Sequence, residues 1–326
     1  MIPRSAPGAD EGELAIGDLI GRDLRGDEVP AAVLIGCPVD EGVRRNHGRA
    51  GAAEAPAAIR GALLRTPAGD NQGLRALIAR VWDAGDLSST GVLERDQDAL
   101  AGRVAPWLSA GAIPIVIGGG HGTAYGHFLG YARARRPVSI LNWDAHADVR
   151  ELKNGLGHSG SPFRQAILHE SGLCRRYTVA GLLPDKVLPA HLDFITAHAG
   201  AFSWKSDLTA DRLDATVSAA RAAGTSLMVS FDMDAVDAGS APGVSAPSAG
   251  GLSPDLWLRA AEAAGRHPEV ASMDLVEVNP TFDPDGRTID LAALTIRRFL
   301  QGLAARNASA GRYAPALREV SYTWPW

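Results

Sequence analysis

The chain has 326 residues, of which 46% are hydrophobic and 21% charged, a composition that excludes a disordered chain and is typical of a globular protein with a large core. Its net charge of -5 gives no electrostatic basis for binding nucleic acid or an anionic membrane, so we expect neither as a partner. The two cysteines, Cys37 and Cys174, are too few for a disulfide framework, which indicates a reducing cytoplasm.

The N-terminal segment, residues 1–28, is rich in glycine and charged residues and lacks the basic-then-apolar order of a signal peptide. We expect this segment to be flexible or loosely packed. The rest of the chain, residues 29–326, contains neither an internal repeat nor a clear linker, and we interpret it as a single domain. No apolar run in the sequence is long enough to span a bilayer.

Short apolar runs alternate with alanine-rich stretches from residue 31 onward. Most of the runs are nearly continuous valine, isoleucine and leucine, which is typical of strands buried on both faces of a parallel sheet. The predicted strands cover residues 31–36, 80–82, 113–117, 138–143, 177–180, 226–231 and 272–276. Ser253 and Pro254 form a typical helix start. The alternation predicts an α/β fold with helices on both faces of the sheet, and the predicted helices cover residues 56–65, 97–109, 124–135, 211–223, 254–265 and 290–305.

The most informative motif is NWDAHAD at residues 142–148, directly after a predicted buried strand. Asp144, His146 and Asp148 occupy every second position, so they would share one face of an extended chain. Burying these groups at a strand end is costly unless a cation lies between them. In a straight strand the outer two Cα atoms would be roughly 13 Å apart. The spacing therefore predicts either a two-metal centre or a loop that bends just after the strand.

Two further strand ends carry candidate ligands. Asp232 and Asp234 follow the sixth predicted strand, and they would often form a simple turn if they stood alone. His121 lies in GGGHG after the third predicted strand, where glycines let the backbone approach a ligand closely. A phosphate loop is not favoured there, because no lysine followed by serine or threonine is present. Since ligands bind at the carboxyl ends of strands in open α/β sheets, we expect all three residues to join the first motif in a metal site.

Glu277 and several arginines are candidates for substrate binding. Glu277 ends the last predicted strand, where it would be either a structural carboxylate or a partner for a cationic substrate group. The charged segment 40–49 would ordinarily be a solvated loop, but Arg44, Arg45 and the later Arg150 also suggest an anionic substrate. Nucleophilic catalysis is not supported, because no G-x-S-x-G motif is present and the cysteines lack a catalytic context.

Four motifs, in order along the chain, resemble the ureohydrolase superfamily of arginase, agmatinase, guanidinobutyrase and formimidoylglutamase. They are GGGHG at 118–122, NWDAHADVR at 142–150, SFDMDAVDAGSAPGVSAPSAGGL at 230–252 and DLVEVNP at 274–280. The resemblance implies the three-layer α/β/α arginase-like fold with a central, mostly parallel sheet of about eight strands. It also implies two Mn²⁺ ions per subunit, hydrolysis of a carbon-nitrogen bond in a linear amidine or guanidine, and a homo-oligomer (trimer or hexamer). Carried over position by position, the metal ligands are His121, Asp144, His146, Asp148, Asp232 and Asp234.

Three features resemble the formimidoylglutamases within that superfamily. DEGVRRNHGRAGAAEAP at 40–56 is similar to their N-terminal signature, and SGSPFR at 159–164 is similar to their SGTPF segment. Arg150 stands where arginases carry an asparagine that contacts the amino-acid end of the substrate. Ser159 occupies the position of the acid/base histidine of arginases and agmatinases. That histidine is therefore either absent here or replaced by the adjacent His158.

The resemblance implies hydrolysis of N-formimidoyl-L-glutamate to L-glutamate and formamide, a reaction of histidine degradation, by attack of a hydroxide that bridges the two metal ions. Glu277 would hold the amidinium group, and Asp148 would pass a proton to the leaving nitrogen. His158 is the third candidate catalytic residue. The candidate substrate-binding residues, which would hold an anionic amidine, are Arg150, Arg44, Arg45 and Ser159.

Two alternatives stay open on sequence grounds. The first is another ureohydrolase that acts on a guanidino acid or on agmatine, since it would share every metal ligand. The second is a catalytically silent metal-binding protein on the same fold, which the loss of a ligand or of Glu277 would favour. The intact ligand set favours an enzyme.

Overall fold

The fold is described from a computed structural model, which covers residues 14–26 and 28–309. Its centre is one eight-stranded sheet in which all neighbouring strands are parallel, in the order β2-β1-β3-β8-β7-β4-β5-β6. The strands are β1 (Ala32–Cys37), β2 (Val81–Asp86), β3 (Ile113–Gly118), β4 (Val138–Trp143), β5 (Cys174–Leu182), β6 (Ala201–Trp204), β7 (Ser226–Asp232) and β8 (Val270–Val276).

Helices cover both faces of the sheet, so the predicted three-layer α/β/α arrangement is confirmed. Helices α3, α4, α10 and α11 enclose a hydrophobic core on one face, and α5, α6 and α7 enclose a second core on the other. Strands β1, β3, β4, β7 and β8 are buried along their whole length, which explains their continuous apolar sequences. The α-helices are α1 (Ile16–Leu19), α2 (Glu41–Arg45), α3 (Ala55–Arg65), α4 (Gln72–Ile78), α5 (Leu93–Ala110), α6 (Thr123–Arg133), α7 (Pro162–Ile167), α8 (Pro189–Ala197), α9 (Leu213–Ala219), α10 (Pro254–Arg266) and α11 (Arg287–Ser309).

Local sequence signals predicted some boundaries well and others poorly. Ser253 caps α10 by accepting a hydrogen bond from the backbone of Leu256, and Pro254 is the first helical residue, as predicted. Strand β6 was not predicted, because its four residues are half-buried at the sheet edge and form no apolar run. The helix predicted over 211–223 is shorter, since its first turn is a 3₁₀ turn and α9 ends at Ala219.

Part of the N-terminal segment packs against the domain. The backbone N–H of Ile16 donates to the carbonyl of Thr66 at 2.9 Å. Ile16 and Leu19, both in α1, are buried in the same core as α3 and α4. Two apolar side chains and a backbone hydrogen bond thus hold residues 14–20 against the domain, and the flexibility expected for the segment stays a prediction. Residues 1–13 lie outside the described part of the chain.

The order of the strands decides where a functional site can form. Strands β3, β8, β7 and β4 are neighbours in the sheet although they are far apart in sequence. All four are parallel, so their carboxyl ends open on one edge of the sheet. Within residues 14–26 and 28–309, no helix is both long enough and apolar enough to cross a bilayer.

Candidate metal centre

The candidate ligands lie just beyond the carboxyl ends of these four neighbouring strands. His121 follows β3, Asp144 follows β4, Asp232 is the last residue of β7 and Glu277 follows β8. In addition, β7 and β4 are directly hydrogen-bonded, with Phe231 opposite Trp143. The topology therefore brings together residues that are more than 100 positions apart in the sequence.

The first cluster of ligand atoms surrounds Nδ1 of His121. This nitrogen lies 2.8 Å from Oδ2 of Asp232, 2.9 Å from Oδ2 of Asp148 and 3.5 Å from Oδ2 of Asp144. All four side chains are buried, and the ligand atoms lie within 4.8 Å of one another. Among the described residues, Nδ1 of His121 has no hydrogen-bond partner. Three carboxylates converging on one buried imidazole nitrogen form a site for a cation.

A second cluster shares Asp144 with the first. Nδ1 of His146 lies 3.3 Å from Oδ1 of Asp234 and 3.4 Å from Oδ1 of Asp144, and these ligand atoms are also within 4.8 Å of one another. One oxygen of Asp144 thus faces each cluster. This sharing fits two ions bridged by a carboxylate.

The backbone after β4 bends to bring the ligands together. The N–H of His146 donates to Oδ1 of Asp144 at 2.7 Å, and the side-chain amide of Asn142 donates to Oδ2 at 2.9 Å. Asp148 has a left-handed backbone, with φ of 46°, which costs a non-glycine residue about 1 kcal/mol or more. The spacing of Asp144, His146 and Asp148 predicted either a two-metal centre or a bent loop, and the structure contains both two ligand clusters and a bend after β4.

The buried carboxylates of the two clusters need additional positive charge close to them. Burial raises the pKa of Asp232 well above its usual range and also raises the pKa of Asp234. Burial alone would lower the pKa of His146, but the carboxylates of Asp234 and Asp144 outweigh it and raise that pKa to about 12. Without a metal ion, protons must therefore supply the positive charge. The donor set of four carboxylates and two imidazoles fits manganese better than copper or zinc.

A buried chain of hydrogen bonds orients His121 through Nε2, the ring nitrogen that faces away from the carboxylates. Nε2 of His121 lies 2.9 Å from Oγ of Ser230, which donates to Oδ1 of Asp274 at 2.5 Å. The other oxygen of Asp274 lies 2.7 Å from Nδ1 of His127. The ring of Phe163 packs edge-on against His121, with centroids 5.1 Å apart. These contacts fix the imidazole so that Nδ1 faces the carboxylates.

A cavity of about 230 Å³ opens above the two clusters. Its floor is acidic, and its wall includes Arg150 and Arg49. The lining residues are Val43, Asn46, His47, Gly48, Arg49, His146, Asp148, Arg150, Ser159, Asp232, Asp234, Ser245, Ala246 and Glu277.

Comparison with known proteins gives the family. Residues 30–301 match the model of the Arginase family. The chain belongs to this family. The formimidoylglutamase of Geobacillus thermodenitrificans is 40% identical over 288 residues, which is 83% of this chain and 85% of that relative. The formimidoylglutamase of Rhodococcus jostii is 37% identical over 286 residues, covering 84% of this chain and 87% of that relative.

Solved structures agree with this family assignment. The crystal structure of Trypanosoma cruzi formiminoglutamase with Mn²⁺ has a TM-score of 0.82 and 32% sequence identity. The match covers 90% of this chain and 99% of that one. Together with the buried ligand clusters, these matches confirm the predicted resemblance and establish a metal-dependent site in an arginase-family hydrolase.

Arg44 and Arg45 do not reach the cavity, which corrects the expectation for both residues. The side chain of Arg44 is 58% exposed and pairs with Asp40 at 2.9 Å. Arg45 pairs with Glu94 at 2.5 Å and with Glu41 at 3.1 Å. Helix α2 directs both guanidinium groups towards these acids, so they stabilise the loop instead of lining the cavity.

His158 also lies away from the cavity, although it was a catalytic candidate. Its Nε2 lies 2.9 Å from the carbonyl of Glu151, and its Nδ1 accepts a hydrogen bond from the N–H of Gly160. The side chain is buried, and burial lowers its pKa. It is therefore the neutral anchor of the loop that presents Ser159, whose Oγ accepts a hydrogen bond from Asn46 in the cavity wall.

Glu277 points into the cavity, where the sequence predicted a partner for a cation. Its Oε1 accepts a hydrogen bond from the backbone N–H of His121 at 2.5 Å. Its buried Oε2 has no hydrogen-bond partner among the described residues. Burial raises its pKa to about 7. The backbone of Glu277 is left-handed, with φ of 67°, a strained conformation that is typical of functional sites.

Sequence reasoning missed Asn46, Ser230 and Asp274. Asn46 directly follows Arg44 and Arg45, which were the predicted functional residues of that segment. Its side chain donates to Ser159, which is 113 residues away in the sequence. Ser230 and Asp274 are paired across β7 and β8, in register with the ligand Asp232 two residues on. The period of two along β7 was the one available signal, because residues 230, 232 and 234 are all polar in an otherwise apolar stretch.

Proposed function

We propose that this protein is a formimidoylglutamase, which hydrolyses N-formimidoyl-L-glutamate to L-glutamate and formamide. One observation carries the proposal. The cavity has an acidic floor, and Arg150 in its wall has no carboxylate partner in the described part of the chain. This polarity matches a substrate with a cationic amidinium at one end and carboxylates at the other. The names of the relatives from Geobacillus and Rhodococcus support the same substrate.

The two clusters would hold two Mn²⁺ ions, a cofactor that the manganese-containing Trypanosoma structure supports. The first ion would lie among His121, Asp148 and Asp232, and the second among His146 and Asp234, with Asp144 between them. When bound, such an ion pair supplies a water of lowered pKa that serves as nucleophile at neutral pH.

The side chains of the cavity would orient the substrate. The free Oε2 of Glu277 would accept a hydrogen bond from the amidinium, which requires the carboxylate to be ionised. The guanidinium of Arg150 would pair with a substrate carboxylate. The carboxylate of Asp148, which also lines the cavity, would pass a proton to the amine nitrogen of the departing glutamate.

Agmatine and guanidino acids are the alternative substrates. Agmatine carries a second positive charge, which would lie near Arg150 and be repelled by it. Guanidinobutyrate carries one carboxylate and would use only part of the cationic wall. Neither compound matches the cavity as well as a dicarboxylate does. The homo-oligomeric state, a trimer or hexamer, and the cytoplasmic location stay predictions.

A substrate panel tests the proposal. The manganese-loaded protein would be assayed with N-formimidoyl-L-glutamate, L-arginine, agmatine and 4-guanidinobutyrate. We expect kcat/KM for N-formimidoyl-L-glutamate to exceed each of the others by about 100-fold or more, since agmatine has no carboxylate to pair with Arg150 and the other two compounds have one carboxylate instead of two. A preference for any guanidino compound would overturn the proposal, and no turnover at all would support a silent metal-binding protein.

A further inference from the structure

Two cations converge on one neutral oxygen of Asn46, a residue that lines the cavity. Oδ1 of Asn46 lies 3.5 Å from Nη1 of Arg150 and 3.4 Å from Nζ of Lys153. Within the described ranges, neither cation forms an ion pair with a carboxylate of the chain. Two like charges that share an uncharged acceptor repel each other, and a bound anion would relieve that repulsion.

A tight backbone turn fixes the position of Lys153 next to Asn46. Lys153 and Leu156 exchange two backbone hydrogen bonds, at 3.0 and 2.9 Å. Asn154 and Gly155 between them both have positive φ, 53° and 76°, which is the conformation of a tight hairpin turn. The ammonium group also donates to the carbonyl of Arg45 at 3.1 Å. The side chain of Lys153 thus extends from a tight turn to Asn46, a residue that lines the cavity.

The other nearby arginines are already engaged. Arg45 pairs with Glu94 and Glu41. Arg49 donates to the carbonyls of Val244 and Pro242 and stacks on the ring of Phe282, 4.1 Å from its centroid. Lys153 is therefore the cation best placed to assist Arg150.

We propose that Lys153 binds the distal carboxylate of the substrate, while Arg150 binds the α-carboxylate. This inference rests on the proposed function, which supplies a dicarboxylate. The α-carboxylate is attached to the carbon next to the reacting nitrogen, so it would lie deeper in the cavity, which Arg150 lines. The distal carboxylate is two methylene groups further out and would extend towards Lys153, whose ammonium lies 3.4 Å from Oδ1 of the lining residue Asn46. Lys153 thereby selects dicarboxylate over monocarboxylate substrates.

A purely structural role for Lys153 makes a different prediction. Its ammonium could serve only to satisfy the carbonyl of Arg45, the last residue of α2, as a helix C-terminal cap. Removal of a cap would lower thermal stability and would affect every substrate alike. Recognition of the distal carboxylate affects only substrates that possess it.

The test compares two substrates on three variants of the manganese-loaded protein. The substrates are N-formimidoyl-L-glutamate and N-formimidoyl-L-2-aminobutyrate, which lacks the distal carboxylate. The variants are Lys153→Met, Lys153→Arg and, as a matched control, Lys205→Met. Lys205 follows the edge strand β6 and does not line the cavity.

For Lys153→Met we expect KM for N-formimidoyl-L-glutamate to rise about three- to tenfold with little change in kcat, as for a partly solvated ion pair. We expect the aminobutyrate analogue to show no change, Lys153→Arg to restore most of the affinity, and Lys205→Met to match the unsubstituted protein. The rise of KM with salt should also be shallower in Lys153→Met.

Equal losses for both substrates, or an unchanged KM for N-formimidoyl-L-glutamate, would overturn the inference. A failure of the proposed function is distinguishable, because the unsubstituted protein would then not turn over N-formimidoyl-L-glutamate at all.

Discussion

Ser230 and Asp274 face each other across β7 and β8, and the hydroxyl of Ser230 joins Asp274 to the imidazole of His121. The carboxylate is fully buried, and its second oxygen is bound by His127. A single hydroxyl thus links the metal centre to a charged group in the middle of the sheet. Since outer contacts of this kind orient a ligand and increase its basicity, we propose that Ser230 would act on a bound metal ion through His121.

Ser230→Ala is expected to weaken manganese binding about tenfold or more, because His121 loses the contact that fixes its ring. Isothermal titration with Mn²⁺ measures the change directly. Ser218→Ala is the matched control, since that hydroxyl lies on the exposed side of α9 and donates to the carbonyl of Asp214. Equal affinities for Ser230→Ala and the control would show that the hydroxyl has no part in the metal site.

Asp144→Asn is expected to remove metal and activity together, because one oxygen of Asp144 faces each cluster. Metal content by elemental analysis should fall from about two ions per chain to less than one, and turnover should fall at least about 1,000-fold. Asp255→Asn, on the exposed part of α10, should change neither. Full metal content in Asp144→Asn would contradict a shared carboxylate.

Arg150→Ala is expected to raise KM for N-formimidoyl-L-glutamate about tenfold or more, the effect of losing a charged hydrogen bond. Arg44→Ala should leave KM unchanged, since the side chain of Arg44 is exposed and bound to Asp40. Steady-state kinetics on both variants separates the two arginines. An effect of similar size in Arg44→Ala would mean that the loop 40–49 turns its arginines inward when substrate binds.

The thermal stability of the metal-free protein is expected to fall as pH rises, and Mn²⁺ is expected to counteract that loss. In the metal-free protein the pKa of Glu277 is raised from 4.5 to about 7, and that of His146 from 6.5 to about 12. A raised folded-state pKa gives stability that is complete below the unfolded value and is lost as pH rises through the folded value. For Glu277 the loss falls between pH 4.5 and about 7, and for His146 it begins near 6.5. The lowered pKa of Asp144 acts only below its usual 3.8.

Metal ions replace the protons of these groups, so stabilisation by Mn²⁺ should increase with pH. The measurement is Tm with Mn²⁺ minus Tm with chelator, at pH 6 and at pH 8. We expect the larger difference at pH 8. An equal or smaller difference at pH 8 would show that the clusters do not exchange protons for metal.

From the sequence, the convergence of the candidate metal ligands was predicted more accurately than the positions of the candidate substrate contacts. Asp144, Asp232 and Asp234 lie at the ends of buried strands, where a carboxylate has few structural partners and a parallel sheet fixes a common edge. Their placement at one common edge of the sheet follows from the strand ends alone. The strand order itself, which places β8 between β3 and β7, is a tertiary feature that periodicity does not reveal.

Which residues contact the substrate depends on the orientation of their side chains in the folded protein. Arg45 and Arg150 looked equivalent in the sequence, but the partner of Arg45 is Glu94, 49 residues further along the chain. His158 and Ser159 are adjacent, yet one anchors the loop and the other faces the cavity. Neither distinction has a local sequence signal, because each is decided by packing between separate segments.

The most direct test of the account is the identity of the products formed from N-formimidoyl-L-glutamate by the manganese-loaded protein, followed by NMR. We expect equal amounts of formamide and L-glutamate, because the bond that breaks joins the formimidoyl carbon to the glutamate nitrogen. Formation of N-formyl-L-glutamate and ammonia instead would contradict it, since the other nitrogen of the amidine would then be the leaving group.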